Sequence, residues 1–418
     1  MALGGRRWQA PRPMRSPRFR LLHVVTVPIT FTFLRGQLGY LAGQGVELHG
    51  VSAPPEDGRL PLDAADALQF HGVPMRRSIA PGADALAIGR LAALMRKLRP
   101  DIVQAGTPKG GLLGTLAAAA ARVPVRIYHV RGLAHDTATG GRRAALLAAE
   151  RAACAAATDV LCVSDSVRAS LARSGLCALE KSSVLGAGSS NGVDATGRFD
   201  PARFDPSERA RLRARLGIAP DALVIGFVGR LVRDKGIVEL AESWTALREV
   251  FPAACLLLVG PFEAEDPVPQ EIVQRLRSDP RVVIAPAPWG QSAERYAVMD
   301  LVCFPTYREG FPNVPLEAAA MRLPVVATRV TGCVDAVVDG TTGVLVPPRD
   351  VRALTAACAE LLRDEDRRRA LGEAGRARAI EHYAPERIWS DMLAFYERLL
   401  AARRGRGGGG WRGARYVG

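Results

Sequence analysis

Two series of apolar, strand-length runs alternating with helical segments, joined by one stretch that can continue neither, constrain this chain more than any other feature. The first series reads FRLLHVVTV, VELHGVSA, VPMRRSI, a helix from Asp84 to Arg99, DIVQA, a helix after Gly110, VPVRIYHV, a helix from Arg142 to Ala157, and DVLCVS. Continuous apolar strands separated by helices form parallel sheets covered on both faces, because each parallel neighbour needs a crossover. Right-handed crossovers then carry ligand loops to the carboxyl ends of the strands. This series ends near Lys181. From Gly186 the chain reads GAGSSNGVDATGRFDP, whose Gly, Ser and Asn break both periodicities and predict a hinge or interdomain loop. A second series follows: DALVIGFVG, ACLLLVG, RVVIAP, DLVCFP, PVVAT and TGVLVP, and then amphipathic helices from about Asp350 to Ala402.

The prediction is an α/β protein of two doubly wound, Rossmann-like domains facing an interdomain cleft. Its 418 residues suffice for two cores of roughly 200 residues each. Hydrophobic residues make up 48% but aromatics only 6%, the Ala, Val and Leu balance of helices packed on a parallel sheet. The expected boundaries are a basic, disordered leader at 1–19, an N-terminal Rossmann-like domain at 20–190 and a C-terminal Rossmann-like domain at 191–385. A helix at 386–402 packs back on the first domain, and an Arg/Gly tail at 403–418 is disordered.

A formal charge of +14 raises nucleic acid and anionic membranes as partners, so its location matters. Residues 1–20 carry six Arg and no acid, residues 401–418 carry five Arg and no acid, and 14 − 11 leaves +3 for everything between. The body is nearly balanced, so no nucleic acid is expected. The basic ends, with Trp8, Trp411 and Tyr416, can meet an anionic membrane surface or stay solvated without a partner. The seven cysteines are odd in number and show no metal spacing, which predicts reduced, buried thiols. The leader lacks the apolar core of a secretory signal, and the most apolar stretch, near Leu112, is too short to span a bilayer, so a cytoplasmic, at most peripheral, protein is expected.

Three segments carry candidate chemistry. In REGFPNVPLEAAA, Pro312 and Pro315 favour an extended turn that starts a helix at about Pro315, with Glu309 in the loop and Glu317 in the first turn. A helix start suits a diphosphate, and a carboxylate beside it can accept bonds from vicinal ribose hydroxyls. Read alone, the same acids serve equally as a solvated loop acid and a complement to the helix dipole. In FVGRLVRDKG, Arg230 and Lys235 flank a loop after a strand, where two cations fit a diphosphate leaving group; surface cations paired with Asp234 are the equal alternative. In TPKGGLLG and YHVRGL, Thr107, Lys109, His129 and Arg131 fall at predicted strand ends on the cleft edge, placed to read acceptor or donor phosphate, although a histidine there is more often structural. Neither G-x-G-x-x-G after the first strand nor a P-loop is present, and Asp364–Asp366 reads as salt-bridge decoration of an arginine-rich helix. No metal site and no cofactor are expected.

Taken together, FLRGQL, TPKGGLLG, VRGL, KSSVLGAGSSNGVD, VGRLVRDKGI, LLLVGPFE, YREGFPNVPLEAAAM and TRVTGCVDAVVDGTTGVLVPPRD resemble the retaining glycosyltransferases of family 4, of GT-B fold, in their capsule and exopolysaccharide branch. The resemblance runs from about Arg20 to Glu397. It implies that Glu317 holds the donor ribose, Glu309 supports an oxocarbenium-like transition state, and Arg230 and Lys235 bind the diphosphate. It also implies backbone approach of Gly310 and Phe311 to the phosphates, and a loop at Gly36 that closes over the donor. The implied reaction is metal-independent transfer of a hexose or N-acetylhexosamine, with retention, from a nucleotide sugar (UDP) to a lipid-diphosphate-linked saccharide. Arg131 occupies the VRG string where relatives make a histidine clearer, so His129 remains an open assignment. A nucleotide-sugar epimerase or hydrolase, or a nucleic-acid-binding protein acting through the basic tails, are the rival readings.

Overall fold

The computed structural model describes residues 17–55, 58–60, 67–78, 80–286 and 292–406. The expectations for the leader up to residue 16 and for the tail beyond 406 lie outside the described residues.

The first sheet holds β1 (Phe19–Val24), β2 (Val46–Ser52), β3 (Gln69–Gly72), β4 (Ile102–Gly106), β5 (Val125–Val130), β6 (Asp159–Cys162) and β7 (Ser182–Val184). Their order is β3-β2-β1-β4-β5-β6-β7, all parallel. The second sheet holds β8 (Leu223–Val228), β9 (Ala254–Val259), β10 (Val282–Ala285), β11 (Leu301–Phe304), β12 (Val325–Thr328) and β13 (Gly343–Val346), ordered β10-β9-β8-β11-β12-β13 and likewise parallel. In each sheet the order reverses once, beside β1 and β4 and beside β8 and β11. Loops part there and open a crevice at the carboxyl edge, the usual seat of a ligand in such sheets. This is the doubly wound, two-domain architecture expected.

The helix Pro385–Arg406 ties the domains together. Ile388 enters the second-domain core, whereas Met392, Phe395 and Tyr396 enter the first. Arg18 pairs with Glu397 from the sheet side. Among the described residues no helix is long and apolar enough to cross a membrane.

Several boundaries differ from expectation. VPMRRSI is not a strand; the edge strand is the preceding QFHG, because Pro74 has no N–H to give a ladder. The first sheet continues past Lys181 into β7, a polar edge strand with no apolar run to announce it. Order also begins before residue 19, where the Arg18 N–H donates to the Gly45 carbonyl (3.0 Å). The Gly- and Ser-rich stretch is no free hinge: Val193, Ala195 and Phe199 are buried in the second core, and the Val193 N–H donates to Tyr383 (2.8 Å). Asp364 caps the helix Glu365–Tyr383 by accepting from the Arg367 N–H (2.8 Å), and Glu365 pairs with Arg369 one turn on (2.8 Å). Six of the seven cysteines are buried, and all are free.

Candidate active site

The site is built where the loops after β8 and β11 meet the loop after β5. After β8 the chain makes a short turn, Arg233–Lys235, and Gly236 takes φ 71° to start the helix Ile237–Val250. A Cβ at Gly236 would lie 2.1 Å from the Pro305 carbonyl oxygen, so only glycine lets this turn press against the β11 loop. That contact brings Lys235 to Glu309, and the two form an ion pair. The Thr306 hydroxyl also donates to Glu309 Oε1 (3.1 Å), and Lys235 Nζ sits 5.6 Å above the Phe304 ring. Asp234 pairs with Arg308 (2.8 Å) and Arg230 with Glu263 (2.9 Å). The sequence reading of Asp234 as the partner of Arg230 and Lys235 is thereby corrected, since the β11 loop supplies both Arg308 and Glu309.

Across from these loops lies the first domain. Arg131, Gly132 and Leu133 join Arg230, Asp234, Lys235, Arg308, Glu309 and Gly310 around a cavity of about 170 Å³. A Cβ at Gly310 would stand 1.9 Å from the Arg131 carbonyl oxygen, so backbone meets backbone at the domain boundary. Burial pushes the Arg131 guanidinium down to about 10, still charged at neutral pH, with Tyr396 acting the other way. Its Nε has no hydrogen-bond partner, and among the described residues no carboxylate pairs with it. A desolvated, unpaired cation facing three other cations, against two acids, makes the cavity attractive to an anion.

Glu317 lies on the helix Asn313–Ala320. It is the fifth residue, in the second turn rather than the first, because Asn313 and not Pro315 begins the helix. The Tyr296 hydroxyl donates to Glu317 Oε2 (2.8 Å). Burial pushes the Glu317 carboxyl up to about 7, with Tyr296 and Arg198 opposing the shift. Arg198, from the stretch read as a hinge, is held by Ser292 (3.0 Å) and stacks over Phe199 at 4.9 Å. Phe311 packs against the buried clusters of both domains and meets Tyr383 at 5.4 Å, so its ring fills the domain junction.

Four expected site residues lie elsewhere. His129 is buried beneath the C-terminal helix: its Nδ1 meets Gln104 Nε2 (2.9 Å), and Gln104 Oε1 accepts from Tyr396 (2.6 Å). Desolvation first, then Arg131 and His23, hold its imidazole well below the ordinary range, so it stays neutral. Gly36 takes φ 75° and abuts Trp389, whose ring would stand 2.5 Å from an added Cβ; it receives the last helix, not the cavity. Thr107 caps the helix Pro108–Ala120 and bonds Thr26 (2.7 Å). Lys109 pairs with Asp84 (2.7 Å). Sequence reasoning missed Arg308, Arg198 and Tyr296; only Arg308, beside Glu309, carried a local signal.

Residues 30–185 match the glycosyl transferase 4-like domain, and residues 222–364 match glycosyl transferases group 1. The capsular polysaccharide biosynthesis glycosyltransferase CapM of Staphylococcus aureus is 35% identical over 93% of this chain and 99% of its own. The chain belongs to the group 1 glycosyltransferases. This transferase also shares its fold with sucrose-phosphate synthase from Thermosynechococcus elongatus (TM-score 0.77, 22% identity, 92% of this chain and 100% of that one). Anabaena HepE, solved in complex with UDP-glucose, superposes at TM-score 0.73 with 18% identity over 91% of this chain and 100% of its own. Membership supports glycosyl transfer, and the epimerase, hydrolase and nucleic-acid readings find no support in these relatives. The cavity of the transferase thus has cations from both domains, and its acids come from the second.

Proposed function

We propose that this glycosyltransferase moves a hexose or N-acetylhexosamine, with retention and without a metal, from a UDP sugar to a lipid-diphosphate-linked saccharide of capsule or exopolysaccharide assembly. The observation that carries the reading is the cavity in which Lys235 and Arg230 face Arg131 across the cleft with Glu309 beside them. The CapM likeness supports the pathway, and the UDP-glucose bound by HepE supports the donor class.

In this reading the diphosphate lies between Arg230 and Lys235 on one wall and Arg131 on the other. Glu317, held by Tyr296, accepts the ribose hydroxyls. As the bond from the anomeric carbon to the phosphate oxygen breaks, negative charge gathers on the β-phosphate, where the three cations stabilise it most. The acceptor oxygen bonds to the anomeric carbon on the same face and its proton passes to that phosphate oxygen, leaving UDP and the glycoside. Glu309 stabilises the developing oxocarbenium charge. Its bond to Lys235 is then exchanged for one to the sugar while Lys235 turns to phosphate. The acceptor enters from the first domain, and the basic termini hold the enzyme at an anionic membrane face.

The test is UDP release and product formation by the purified chain, across a panel of UDP sugars, with and without a polyprenyl-diphosphate saccharide, in EDTA. Acceptor-dependent release with an axial-to-axial or equatorial-to-equatorial product, read by NMR, is the expected result. Release independent of acceptor, or inversion, contradicts it.

A further inference from the structure

The loop that follows β6 crosses the domain boundary through two serine hydroxyls. Ser164 Oγ accepts from the Val167 N–H (3.3 Å), capping the helix Asp165–Arg173, and donates to the Gly310 carbonyl of the second domain (2.8 Å). Two residues on, the Ser166 N–H donates to Asp335 Oδ1 (3.1 Å), its hydroxyl donates to Asp335 Oδ2, and it accepts from the Gly332 N–H (2.8 Å).

These contacts converge on one peptide. Gly332 lies directly against Gly310, since a Cβ there would stand 2.4 Å from the Gly310 carbonyl oxygen. Gly332 and Asp335 flank the start of the short helix Cys333–Ala336, and Arg378 fastens that helix to the second domain through the carbonyls of Asp335 (2.8 Å) and Ala336 (3.1 Å). Ser164 therefore grips Gly310 directly, and Ser166 grips it through Gly332. Gly310 follows Glu309, so the first domain fixes the backbone that carries the carboxylate at the cavity.

We propose that Ser166 and Asp335 form a closure latch, and that both are positioning residues acting through Gly310 on Glu309. Phe311 and the last helix join the domains by apolar packing, whereas hydroxyl–carboxylate contacts reached by water break and re-form at little cost. Buried apolar packing does neither. The latch thus couples domain closure to the placement of Glu309. None of its atoms belongs to the groups that would bind nucleotide, which are Arg230, Lys235 and Glu317 of the second domain and Arg131 of the first. Opening the latch should cost turnover more than nucleotide affinity, since three of the four nucleotide contacts stay together in the second domain and only Arg131 withdraws. The kinetic part of this inference rests on the transfer reaction proposed above.

The test compares Ser166→Ala and Asp335→Asn with the wild-type full chain by small-angle scattering without ligand, UDP titration and steady-state kinetics. We expect an increased radius of gyration, an unchanged melting temperature, UDP affinity weaker by no more than about threefold, and kcat lower by about 10- to 100-fold, the cost of a misplaced catalytic group. Wild-type scattering and kcat in both variants would overturn the latch. So would a loss of UDP affinity and melting temperature in parallel with kcat, which marks general structural damage. If the wild-type chain neither binds UDP nor transfers sugar, the reaction reading fails while the scattering comparison still decides the latch.

Discussion

Lys235 and Glu309 are ion-paired at the base of the interdomain cavity, a cation from the β8 loop against an acid from the β11 loop. The groups best suited to a diphosphate and to an electron-poor sugar already satisfy one another. In the proposed reaction a donor exchanges that contact for two new ones, one from Lys235 to phosphate and one from Glu309 to the sugar.

Replacing Glu309 with Gln keeps the shape and removes the charge. We expect kcat to fall by about 100-fold or more, as loss of a transition-state charge contact does. UDP affinity should hold or improve, because Lys235 is released to phosphate. Steady-state kinetics beside UDP titration checks the split.

Arg131 behaves differently, having no carboxylate partner among the described residues to strand. Arg131→Gln should lower kcat by about 10- to 100-fold by weakening leaving-group stabilisation. Removing a half-buried, unpaired cation also lifts a desolvation cost, so the melting temperature should not fall. Kinetics and thermal unfolding of one preparation check both halves.

Glu317 ties function to pH. Its carboxyl is pushed up to about 7 from 4.5 chiefly by burial, as is that of Glu150, which accepts from the Tyr128 hydroxyl (2.7 Å). An acid whose folded value is raised favours the folded state fully below its ordinary value, and that advantage is lost as pH rises through the folded value. Stability should therefore decline between about pH 4.5 and 7, and Glu317→Gln and Glu150→Gln should each flatten the decline in denaturant titrations. Donor KM should fall over the upper part of the same range as Glu317 ionises, and in Glu317→Gln it should not respond.

The last helix is the structural keystone. Gly36→Ala sets a Cβ against Trp389 at a φ of 75°, and Tyr396→Phe leaves the Gln104 carbonyl without its donor. Each should cost about 1 to 3 kcal/mol of unfolding free energy, measured in urea.

These residues also mark where sequence reading stops. All six strands of the second sheet were legible because parallel strands buried on both faces are unbroken apolar runs, VIGFV and LLLV among them. The edges, QFHG and SSV, are short and polar and left no such trace. At the site, Glu309, Lys235 and Arg230 were legible because each follows a strand by a few residues within one domain. His129 and Gly36 were misplaced for the opposite reason. Their environment is made by Tyr396 and Trp389, hundreds of residues away on a helix that crosses from the other domain. Arg198 and Tyr296 stayed hidden because only tertiary packing brings them to Glu317.

The most direct test of the central claim is calorimetric titration of UDP into the wild-type chain and into Lys235→Ala. The variant loses a charge-assisted contact and leaves Glu309 to repel phosphate, so saturable binding to the wild type and affinity weaker by about tenfold or more in the variant are expected. Equal affinity in the two proteins, or no binding by the wild type, would contradict the account.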